Sequence, residues 1–422
     1  MLDIKFIREN LDLVKMGATK KHMQVDLDAL VLTDDERKRL LISVEGKKAE
    51  QNTVSRDVAN ATDESARAQL ISEMKILKDD IQKEEAELSI VMQKWQELML
   101  QVPNIPDMSV PEGKDDSENK EIKTWGDKPN FQFEPKSHID IMTKLDMVDF
   151  ERGTKVHGFR GYYLQKAGAK LSWAIWNYAQ DFFLKKGLDP LMVPAIVRKG
   201  NFYGTGHLPN EVEDIYRTQD EDYLIGTAEV SAMGYHADTV LSHTDLPVKW
   251  LAFSPCFRRE AGSHGKDTKG LIRVHEFFKL EQVILCEASH EESVKWHEWL
   301  TVNTEEFMQS LEIPYRVVLN CGGDIGQGQV KKYDIEAWVP KESTYRETHS
   351  SSYFHDFQSR RFNIRYKDQE GKLRYVHSLN NTAIATPRIL VSLIENFQQA
   401  DGTVKLPQVL ASYFGSDTIG RA

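Results

Sequence analysis

The sequence predicts an α+β fold in which a long N-terminal antiparallel helical hairpin precedes an antiparallel β-sheet domain flanked by helices. Three observations favour this fold. Apolar residues recur at heptad spacing in the first hundred positions, a segment rich in proline, glycine and acidic residues follows, and alternating apolar patterns then become common. The length of 422 residues is sufficient for two to three domains.

The composition is typical of a globular protein with a charged surface, with 40% hydrophobic and 28% charged residues. A net charge of −11 argues against a general nucleic-acid-binding surface but is compatible with a local basic one. No apolar run approaches the roughly 18 residues of a membrane span, and the N-terminus lacks a secretory pattern. The three cysteines, Cys256, Cys286 and Cys321, are too scattered for a disulfide framework or a metal motif. We therefore expect a cytoplasmic protein that binds neither membranes nor DNA.

Residues 34–102 predict the antiparallel coiled coil. Between Asp34 and Val102 the chain has no proline and a single glycine, Gly46. In the second half, apolar residues recur every three or four positions, and the one seam position without an apolar residue is Glu84. These seam residues are Leu70, Met74, Leu77, Ile81, Leu88, Val91, Trp95, Leu98 and Val102. The pattern predicts a helix that buries one stripe against a partner helix.

The first half of the coiled coil is less regular, because Lys47 and Gln51 occupy seam positions. Three residues between the halves, Thr62, Asp63 and Ser65, could each cap the second helix. Helices of about 30 residues, at about 1.5 Å per residue, would reach about 45–55 Å. A projecting rod suits the long charged exterior better than a bundle packed on the core. Its basic residues could contact phosphate or could be solvated partners of the many glutamates, and charge counting favours the second.

We expect the chain to have three parts, in this order: an N-terminal helical arm at 1–103, a linker at 104–130 and a larger domain at 131–422. The linker prediction rests on two prolines, at positions 103 and 106, and on the acidic, glycine-containing run after them. In the larger domain, alternation predicts strands at 315–319, 361–366 and 373–376, and helical periodicity predicts helices at 171–184, 289–311 and 387–399.

The sequence has no Walker A loop, no GxGxxG opening a helix and no GxSxG elbow. The glycine-rich stretch at 322–328 could cradle phosphate, although a flexible surface loop is favoured. The histidines show no metal-ligand spacing.

The segment at 257–281 predicts two strands joined by a loop of small and charged residues. Because side chains alternate along a strand, Arg273, His275, Phe277 and Lys279 should share one face of the second strand, and Glu281 continues that face. Together with Arg258 and Glu260, they would suit a polyanion that carries a flat base, since guanidinium groups bind phosphate and aromatic rings stack. A surface hairpin with salt-bridged arginines fits the pattern equally well.

The same segment resembles motif 2 of class II aminoacyl-tRNA synthetases, in the form found in the seryl-tRNA synthetase family. Other stretches of the chain resemble that family in the same order, from end to end. They are the N-terminus at 1–10, the prolines at 103–106, motif 1 around 187–194, the serine-binding TxE motif at 227–229, the ATP-binding segment at 345–347 with the FQxRR strand at 356–365, and motif 3 at 379–388.

The resemblance implies a class II antiparallel sheet of six to eight strands, a coiled-coil arm that binds tRNA, and a homodimer with Pro194 at its interface. It also implies an ATP-dependent serine–tRNA ligase, which forms seryl-adenylate and transfers serine to the 3′ end of tRNA(Ser) and, in this family, of tRNA(Sec). In the family, the arm of one subunit reaches tRNA bound at the other subunit's site. Two alternatives stay open: a related enzyme that loads a carrier protein, and a non-catalytic RNA-binding relative.

The resemblance assigns roles to individual residues. Arg258, Arg273 and Arg388 would be the catalytic residues, with Arg258 on the α-phosphate and Arg388 on the γ-phosphate. The ATP-binding residues would be Arg258, Arg259, Glu260, Val274, Phe277, Glu347, Thr348, His349, Ser350 and Arg388. The serine-binding residues would be Thr227, Ala228, Glu229, Arg258, Glu281, Asn380 and Thr382.

Finer roles follow from the same resemblance. Thr227 and Glu229 would hold the ammonium group of serine, while Glu281 and Thr382 would read its hydroxyl. Mg²⁺ bound with ATP would contact Glu347 and Ser350. The sequence departs from the family where Arg259 replaces a frequent serine, and around Ser350 and Thr382, although both of these keep a hydroxyl.

Overall fold

The computed structural model describes residues 1–262, 265 and 267–420. Three residues of the predicted motif 2 loop, Ser263, His264 and Lys266, and the last two residues of the 131–422 domain lie outside the described residues. The chain divides into two compact units. The helical unit comprises Asp3–Thr19 and Met23–Pro103, and the sheet unit comprises Met1–Leu2, Lys20–His22 and the chain from Asn104 onward.

The helical unit is built on a two-helix coiled coil. Its helices are α1 (Ile4–Glu9), α2 (Leu11–Lys20), α3 (Leu27–Asn60) and α4 (Glu64–Gln101). Ser43 contacts Glu84 while Arg39 contacts Glu87, so residue numbers fall along α4 as they rise along α3, and the two helices are antiparallel. Every predicted seam residue of the second helix is buried or half-buried, which confirms the coiled coil.

A polar layer explains the two irregularities of the heptad pattern. Glu84, the one position that the apolar seam skips, accepts a hydrogen bond from Ser43 Oγ at 2.7 Å. Its carboxylate also lies 3.3 Å from the ammonium group of Lys47, which occupies a seam position of α3. Each charged residue is therefore the partner of the other. Asp63 caps α4, because its side chain accepts a hydrogen bond from the backbone N–H of Ala66.

The sheet unit combines a large sheet with helices on its faces. Its helices are α5 (His138–Lys144), α6 (Phe150–His157), α7 (Lys166–Lys185), α8 (Lys199–Thr205), α9 (Glu229–Gly234), α10 (His290–Ser310), α11 (Phe357–Phe362), α12 (Arg388–Asn396) and α13 (Gln408–Phe414). Its strands are β1 (Lys120–Trp125), β2 (Val148–Asp149), β3 (Tyr163–Leu164), β4 (Asp189–Met192), β5 (Ile196–Arg198), β6 (Asp222–Leu224), β7 (Val240–Ser242), β8 (Val248–Phe257), β9 (Glu276–Cys286), β10 (Tyr315–Leu319), β11 (Lys331–Val339), β12 (Thr344–His355), β13 (Arg365–Lys367), β14 (Leu373–Tyr375), β15 (His377–Thr386), β16 (Val404–Lys405) and β17 (Thr418–Ile419).

The largest sheet has eight strands in the order β1-β10-β11-β12-β15-β9-β8-β4. All neighbouring pairs are antiparallel except β4 and β8, which run parallel. The mainly antiparallel sheet predicted from the sequence is therefore confirmed. The segment 104–130, which we expect to be a linker, contributes β1 to one edge of this sheet.

The core lies where α7, α10 and α12 pack on the sheet. Large side chains such as Phe183, Phe307 and Leu390 are fully buried there. Burial of each such side chain stabilises the fold by about 1.5–3 kcal/mol. These three helices are those that periodicity predicts, and the sheet they support carries the site described below.

Two local predictions are wrong. The strand predicted at 361–366 begins inside a helix, because α11 ends at Phe362, Asn363 follows with φ of +53°, and β13 starts only at Arg365. The FQxRR segment at 356–365, expected to be a strand by resemblance, is for the same reason mostly helix α11. The helix is stabilised by an ion pair one turn apart, between Asp356 and Arg360 at 2.7 Å. In the predicted motif 2, the second strand begins at Glu276, so Arg273 lies in the loop and not on the strand face.

Candidate functional site

A cavity of about 400 Å³ opens over the middle strands of the large sheet. Most of the residues that the sequence predicts for the site line this one cavity. They are Thr227, Glu229, Arg258, Glu260, Val274, Phe277, Glu281, Glu347, Thr348, Ser350, Asn380, Thr382 and Arg388. The structure thus brings together residues that are up to about 160 positions apart in the sequence.

Strand pairing explains how the floor of the cavity forms. Alternation along β9 turns Phe277, Lys279 and Glu281 to the same face, and all three line the cavity. The antiparallel pairing of β9 with β15 places Thr382 directly opposite Glu281. The two residues that are expected to read a substrate hydroxyl are therefore cross-strand neighbours.

Two arginines from different elements supply positive charge to the cavity. Arg258 follows β8, donates to the carbonyl oxygen of Gly226 at 3.3 Å, and holds its guanidinium carbon 5.4 Å from the ring centre of Phe277. Arg388 begins α12 and donates to the carbonyl oxygens of Ile272 at 3.0 Å and Glu347 at 2.9 Å. Burial and the positive charges of Arg258 and Arg273 lower the pKa of Arg388, against the opposing effect of Glu347. Because these arginines repel one another, a polyanion bound between them would be stabilised.

Arg273 lies beside the cavity rather than in its lining. Its guanidinium group donates to Glu260 at 2.9 Å and to Asp267 at 3.0 Å. Burial lowers the pKa of Arg273, but these two carboxylates more than offset it, so the pKa is raised. The sequence allowed either a polyanion site or a hairpin with salt-bridged arginines, and the structure contains both. Arg258 lines the cavity, whereas Arg273 forms ion pairs with Glu260 and Asp267.

Glu347 and Ser350 lie together on β12 and line the cavity. Desolvation opposes ionisation of Glu347, but the positive charges of Lys332, Arg388 and Arg258 lower its pKa below the usual value. The carboxylate is therefore negatively charged at neutral pH and is available to a cation.

The end of the cavity around Glu229 and Glu281 carries buried carboxylates and hydroxyls. Glu229 begins α9, and its Oε1 accepts a hydrogen bond from the side-chain amide of Gln358 at 2.5 Å. Burial raises the pKa of Glu281, Lys279 opposes this, and the negative charge of Glu229 adds to it. Lys279 donates to Thr227 Oγ1 at 2.8 Å and forms an ion pair with Glu281. This end suits a small zwitterion with a polar side chain.

Three other predicted residues lie outside the cavity lining. Ala228 is fully buried, and Arg259 is exposed while its backbone N–H donates to the carbonyl of Asp214. His349 is buried behind Thr348, and burial lowers its pKa to about 3, so it is neutral.

The sequence interpretation missed three residues that the structure places at or beside the site. Alternation along the predicted strand placed Lys279 on the same face as Phe277, but no role in the site was assigned to it. Lys332 lines the cavity and forms a 3.0 Å ion pair with Asp334, whose pKa burial raises to about 7. Gln358 contacts Glu229 from α11, and no sequence signal links these two residues.

The glycine-rich stretch at 322–328 contributes Gly326 to the cavity lining. The ammonium group of Lys21 donates to the carbonyl oxygens of Gly326 at 3.0 Å, Gln327 at 2.9 Å and Gln329 at 2.5 Å. Lys21 is only 3% exposed, and its three hydrogen bonds hold the backbone of this part of the stretch in place. The expectation of a flexible surface loop is therefore wrong here, because a buried lysine anchors the loop.

Comparison with known families gives two matches. Residues 1–106 match the family described as the seryl-tRNA synthetase N-terminal domain. Residues 211–397 match the family described as the tRNA synthetase class II core domain (G, H, P, S and T). The second match contains most of the cavity lining.

Full-length relatives and solved structures agree with these matches. The serine–tRNA ligase of Deinococcus radiodurans is 46% identical over 416 residues, which cover 98% of each chain. That of Thermodesulfovibrio yellowstonii is 42% identical and covers 99% of this chain and 100% of the relative. The crystal structure of seryl-tRNA synthetase from Pyrococcus horikoshii complexed with ATP has a TM-score of 0.90 at 38% identity, with 100% of both chains covered. The cytoplasmic serine–tRNA ligase from Naegleria fowleri in complex with AMP has a TM-score of 0.86 at 30% identity, covering 100% of this chain and 99% of that one.

Proposed function

The chain belongs to the seryl-tRNA synthetase family, and from this premise we propose that it joins L-serine to tRNA(Ser) with the energy of ATP. In the first step, a carboxylate oxygen of serine forms a bond to the α-phosphorus of ATP, and the bond to pyrophosphate breaks. In the second step, a terminal ribose hydroxyl of tRNA attacks the seryl carbonyl, and AMP leaves. By family resemblance, tRNA(Sec) would be a second acceptor.

The arginine-rich end of the cavity would bind ATP. The carboxylate of serine is already a nucleophile, so the first step needs neutralisation of charge and in-line positioning more than it needs a general base. Arg258 would neutralise the α-phosphate, Arg388 would contact the γ-phosphate, and Phe277 would stack on the adenine. Arg273 would act from beside the cavity, where it also holds Glu260, the expected partner of the adenine.

A Mg²⁺ ion bound with ATP fits the residues present. Among the described residues, no group of three or more His, Cys, Asp or Glu side chains is arranged as a complete metal site. Mg²⁺ usually takes one or two protein ligands and completes its shell with substrate phosphates and water. The ionised carboxylate of Glu347 and the hydroxyl of Ser350 would hold the ion. Its charge would offset the negative charge of the triphosphate.

The carboxylate-rich end would bind serine. Glu229 would contact the ammonium group, and Glu281 with Thr382 would read the hydroxyl, with Asn380 nearby. Alanine would leave these buried polar groups without partners, which costs about 1–3 kcal/mol for each group. Threonine must instead be refused by steric limits.

The arm and the sheet edge support the expected partners. At about 1.5 Å per residue, α3 with 34 residues and α4 with 38 residues extend about 50–57 Å. A rod of this length could contact tRNA through backbone and shape. At the edge of the large sheet, β4 leads into a short apolar segment where Met192 is 82% and Ile196 56% exposed, with Pro194 exposed between them. A second copy of the chain would cover this edge, so we infer a homodimer.

The cytoplasm is the compartment that we propose for this reaction. None of the helices in the described part of the chain combines the length and apolar character needed to cross a membrane. The relatives named above are serine–tRNA ligases, so neither transfer to a carrier protein nor a non-catalytic role is favoured.

One observation carries the proposal most directly: two arginines and a stacking aromatic share a single cavity with two buried carboxylates. The test is ATP–pyrophosphate exchange with each amino acid in turn, followed by charging of total tRNA. Serine alone should support both reactions. Arg258→Ala should abolish most of the exchange, whereas the matched control Arg217→Ala, at an exposed ion pair, should retain it. Exchange with another amino acid, or robust exchange by Arg258→Ala, would contradict the proposal.

A further inference from the structure

His138 is the first residue of α5, and both nitrogens of its ring have partners. Nδ1 lies 2.9 Å from Glu395 Oε1, which belongs to α12. Nε2 lies 3.2 Å from the backbone nitrogen of Leu271, in the loop that leads into β9. His138 is 4% exposed, so water has little access to either contact. The imidazole therefore bridges the helix that begins with Arg388 and the loop that carries Arg273.

The two partners of the ring decide which nitrogen carries the proton. A backbone N–H can only donate, so Nε2 must accept from Leu271 and is unprotonated. Nδ1 therefore carries the proton and donates it to the carboxylate of Glu395. That carboxylate also accepts from the backbone N–H groups of His138 at 2.8 Å and Lys341 at 3.0 Å. The contacts thus select a neutral imidazole in a single tautomer.

The start of α5 is also attached to α12 by bonds that do not involve the ring. The N–H of Lys136 donates to Gln398 Oε1 at 2.8 Å, and the carbonyl oxygen of Lys136 accepts from Gln398 Nε2 at 3.1 Å. The backbone N–H of His138 adds its bond to Glu395. Because these bonds hold α5 in place, we expect the segment to stay attached when the imidazole is replaced.

The loop segment that the imidazole contacts is part of the cavity wall. Leu271 and Ile272 both line the cavity, and the carbonyl oxygen of Ile272 accepts from Arg388 Nε at 3.0 Å. The bond from Leu271 to the ring therefore lies one residue before the carbonyl that orients Arg388. Gly270 precedes the segment with φ of +84°, and a Cβ there would overlap His138 Nε2. The close approach of the ring thus requires a glycine.

We propose that His138 is a positioning residue for the ATP end of the cavity. Glu395 fixes the tautomer of the ring, and Nε2 fixes the backbone at Leu271. The neighbouring carbonyl of Ile272 then orients Arg388 towards the γ-phosphate. This inference rests on the proposed function, because it identifies what holds a residue that we expect to contact ATP.

Two substitutions separate the two contacts of the ring. His138→Asn keeps an N–H donor near the place of Nδ1 but is too short to reach Leu271, whereas His138→Gln places an amide oxygen near the position of Nε2. In pyrophosphate exchange, His138→Asn should raise the KM for ATP about tenfold, as expected when a buried N–H loses its partner. His138→Gln should return that KM to within about threefold of the wild-type value. The KM for serine should stay within about twofold in both variants.

Thermal melting and a second histidine control for a purely structural role. Both variants should melt close to the wild type, because the backbone bonds of Lys136 and His138 remain. His243→Asn is the matched control, since His243 also contacts a glutamate, Glu287 at 3.1 Å, and lies outside the cavity lining. It should leave both KM values unchanged.

A neutron crystal structure of the wild-type protein tests the tautomer without any variant, so the inference stays falsifiable if a variant does not fold. We expect deuterium on Nδ1 of His138 and none on Nε2, and deuterium on Nε2 would overturn the inference. A wild-type KM for ATP in His138→Asn would also overturn it, as would a folded His138→Gln that recovers nothing. A wild-type protein without serine-dependent exchange would overturn the proposed function itself, whereas normal wild-type exchange with an unaltered His138→Asn would overturn only the inference.

Discussion

The amide of Gln358 should be important for serine binding although it lies outside the cavity lining. Gln358 is 1% exposed on α11. Its Nε2 donates to Glu229 Oε1 at 2.5 Å and to the carbonyl of Thr205 at 3.2 Å, and its Oε1 accepts from Ser378 Oγ at 2.7 Å. These bonds fix the orientation of the carboxylate that we propose for the ammonium group of serine.

The substitution Gln358→Met preserves most of the side-chain volume but removes both donors and the acceptor. A hydrogen bond to a charged group contributes about 1.5–3 kcal/mol. Because about 1.4 kcal/mol corresponds to a factor of ten, we expect the kcat/KM for serine to fall by about 10- to 100-fold. The KM for ATP should change by less than about twofold, since Gln358 contacts none of the residues proposed to bind the nucleotide.

Pyrophosphate exchange with serine and ATP titrated separately measures both parameters. Gln369→Met is the matched control, because Gln369 is exposed and its side chain makes a long, 3.4 Å contact with His243. An unchanged kcat/KM for serine in Gln358→Met would refute the assignment of Glu229 to the ammonium group. An equal fall in the kcat/KM for ATP would show that Gln358 supports the whole cavity rather than the serine end.

Three further predictions concern the nucleotide, the arm and acid stability. Phe277→Leu should raise the KM for ATP about tenfold without changing that for serine, since stacking of a base on an aromatic ring contributes about 1–3 kcal/mol; steady-state titration of ATP checks this. Ile81→Ala removes a seam side chain that is 5% exposed and should destabilise the coiled coil by about 2–4 kcal/mol; circular dichroism should then show earlier melting while pyrophosphate exchange is retained. Burial lowers the pKa of His297 to about 4, below the value of about 6.5 expected when unfolded, so protonation favours the unfolded chain. The free energy of unfolding should therefore fall as the pH drops from about 6.5 towards 4, by up to about 1.4 kcal/mol per pH unit for this group. Urea unfolding at several pH values measures this free energy, and its dependence on pH over this range should be weaker in His297→Gln than in the wild type.

The coiled coil was predictable because its signal is local. A stripe of apolar residues at heptad spacing fixes both the helix and the face it buries, and the described structure follows it from Leu70 to Val102. The register between the two helices was not predictable in the same way. The register depends on a contact between the helices, the polar layer in which Lys47 of α3 meets Glu84 of α4.

The error at 361–366 shows what alternation measures. Phe362, Ile364 and Tyr366 are all buried, while the residues between them are half-buried, as a strand would require. The backbone nevertheless leaves a helix at Phe362, passes through a left-handed Asn363 and enters a strand only at Arg365. Alternating burial therefore predicted the environment of these residues but not their conformation.

The site was predictable where a motif keeps its residues close in sequence, as for Arg258 and Glu260. Its supporting groups were not, because Gln358 and Glu229 are far apart in the chain and meet only through the packing of α11 on α9. Arg273 was placed on the strand face because strand boundaries are not fixed by alternation alone, and the strand begins three residues later.

The central claim is that one cavity holds ATP at its arginine end and serine at its carboxylate end. A crystal structure with a non-hydrolysable seryl-adenylate analogue tests it most directly. We predict the adenine ring stacked on Phe277, the phosphate-like group within hydrogen-bond distance of Arg258, and the seryl hydroxyl between Glu281 and Thr382. An analogue bound outside this cavity, or with its seryl group directed towards Arg388, would contradict the account.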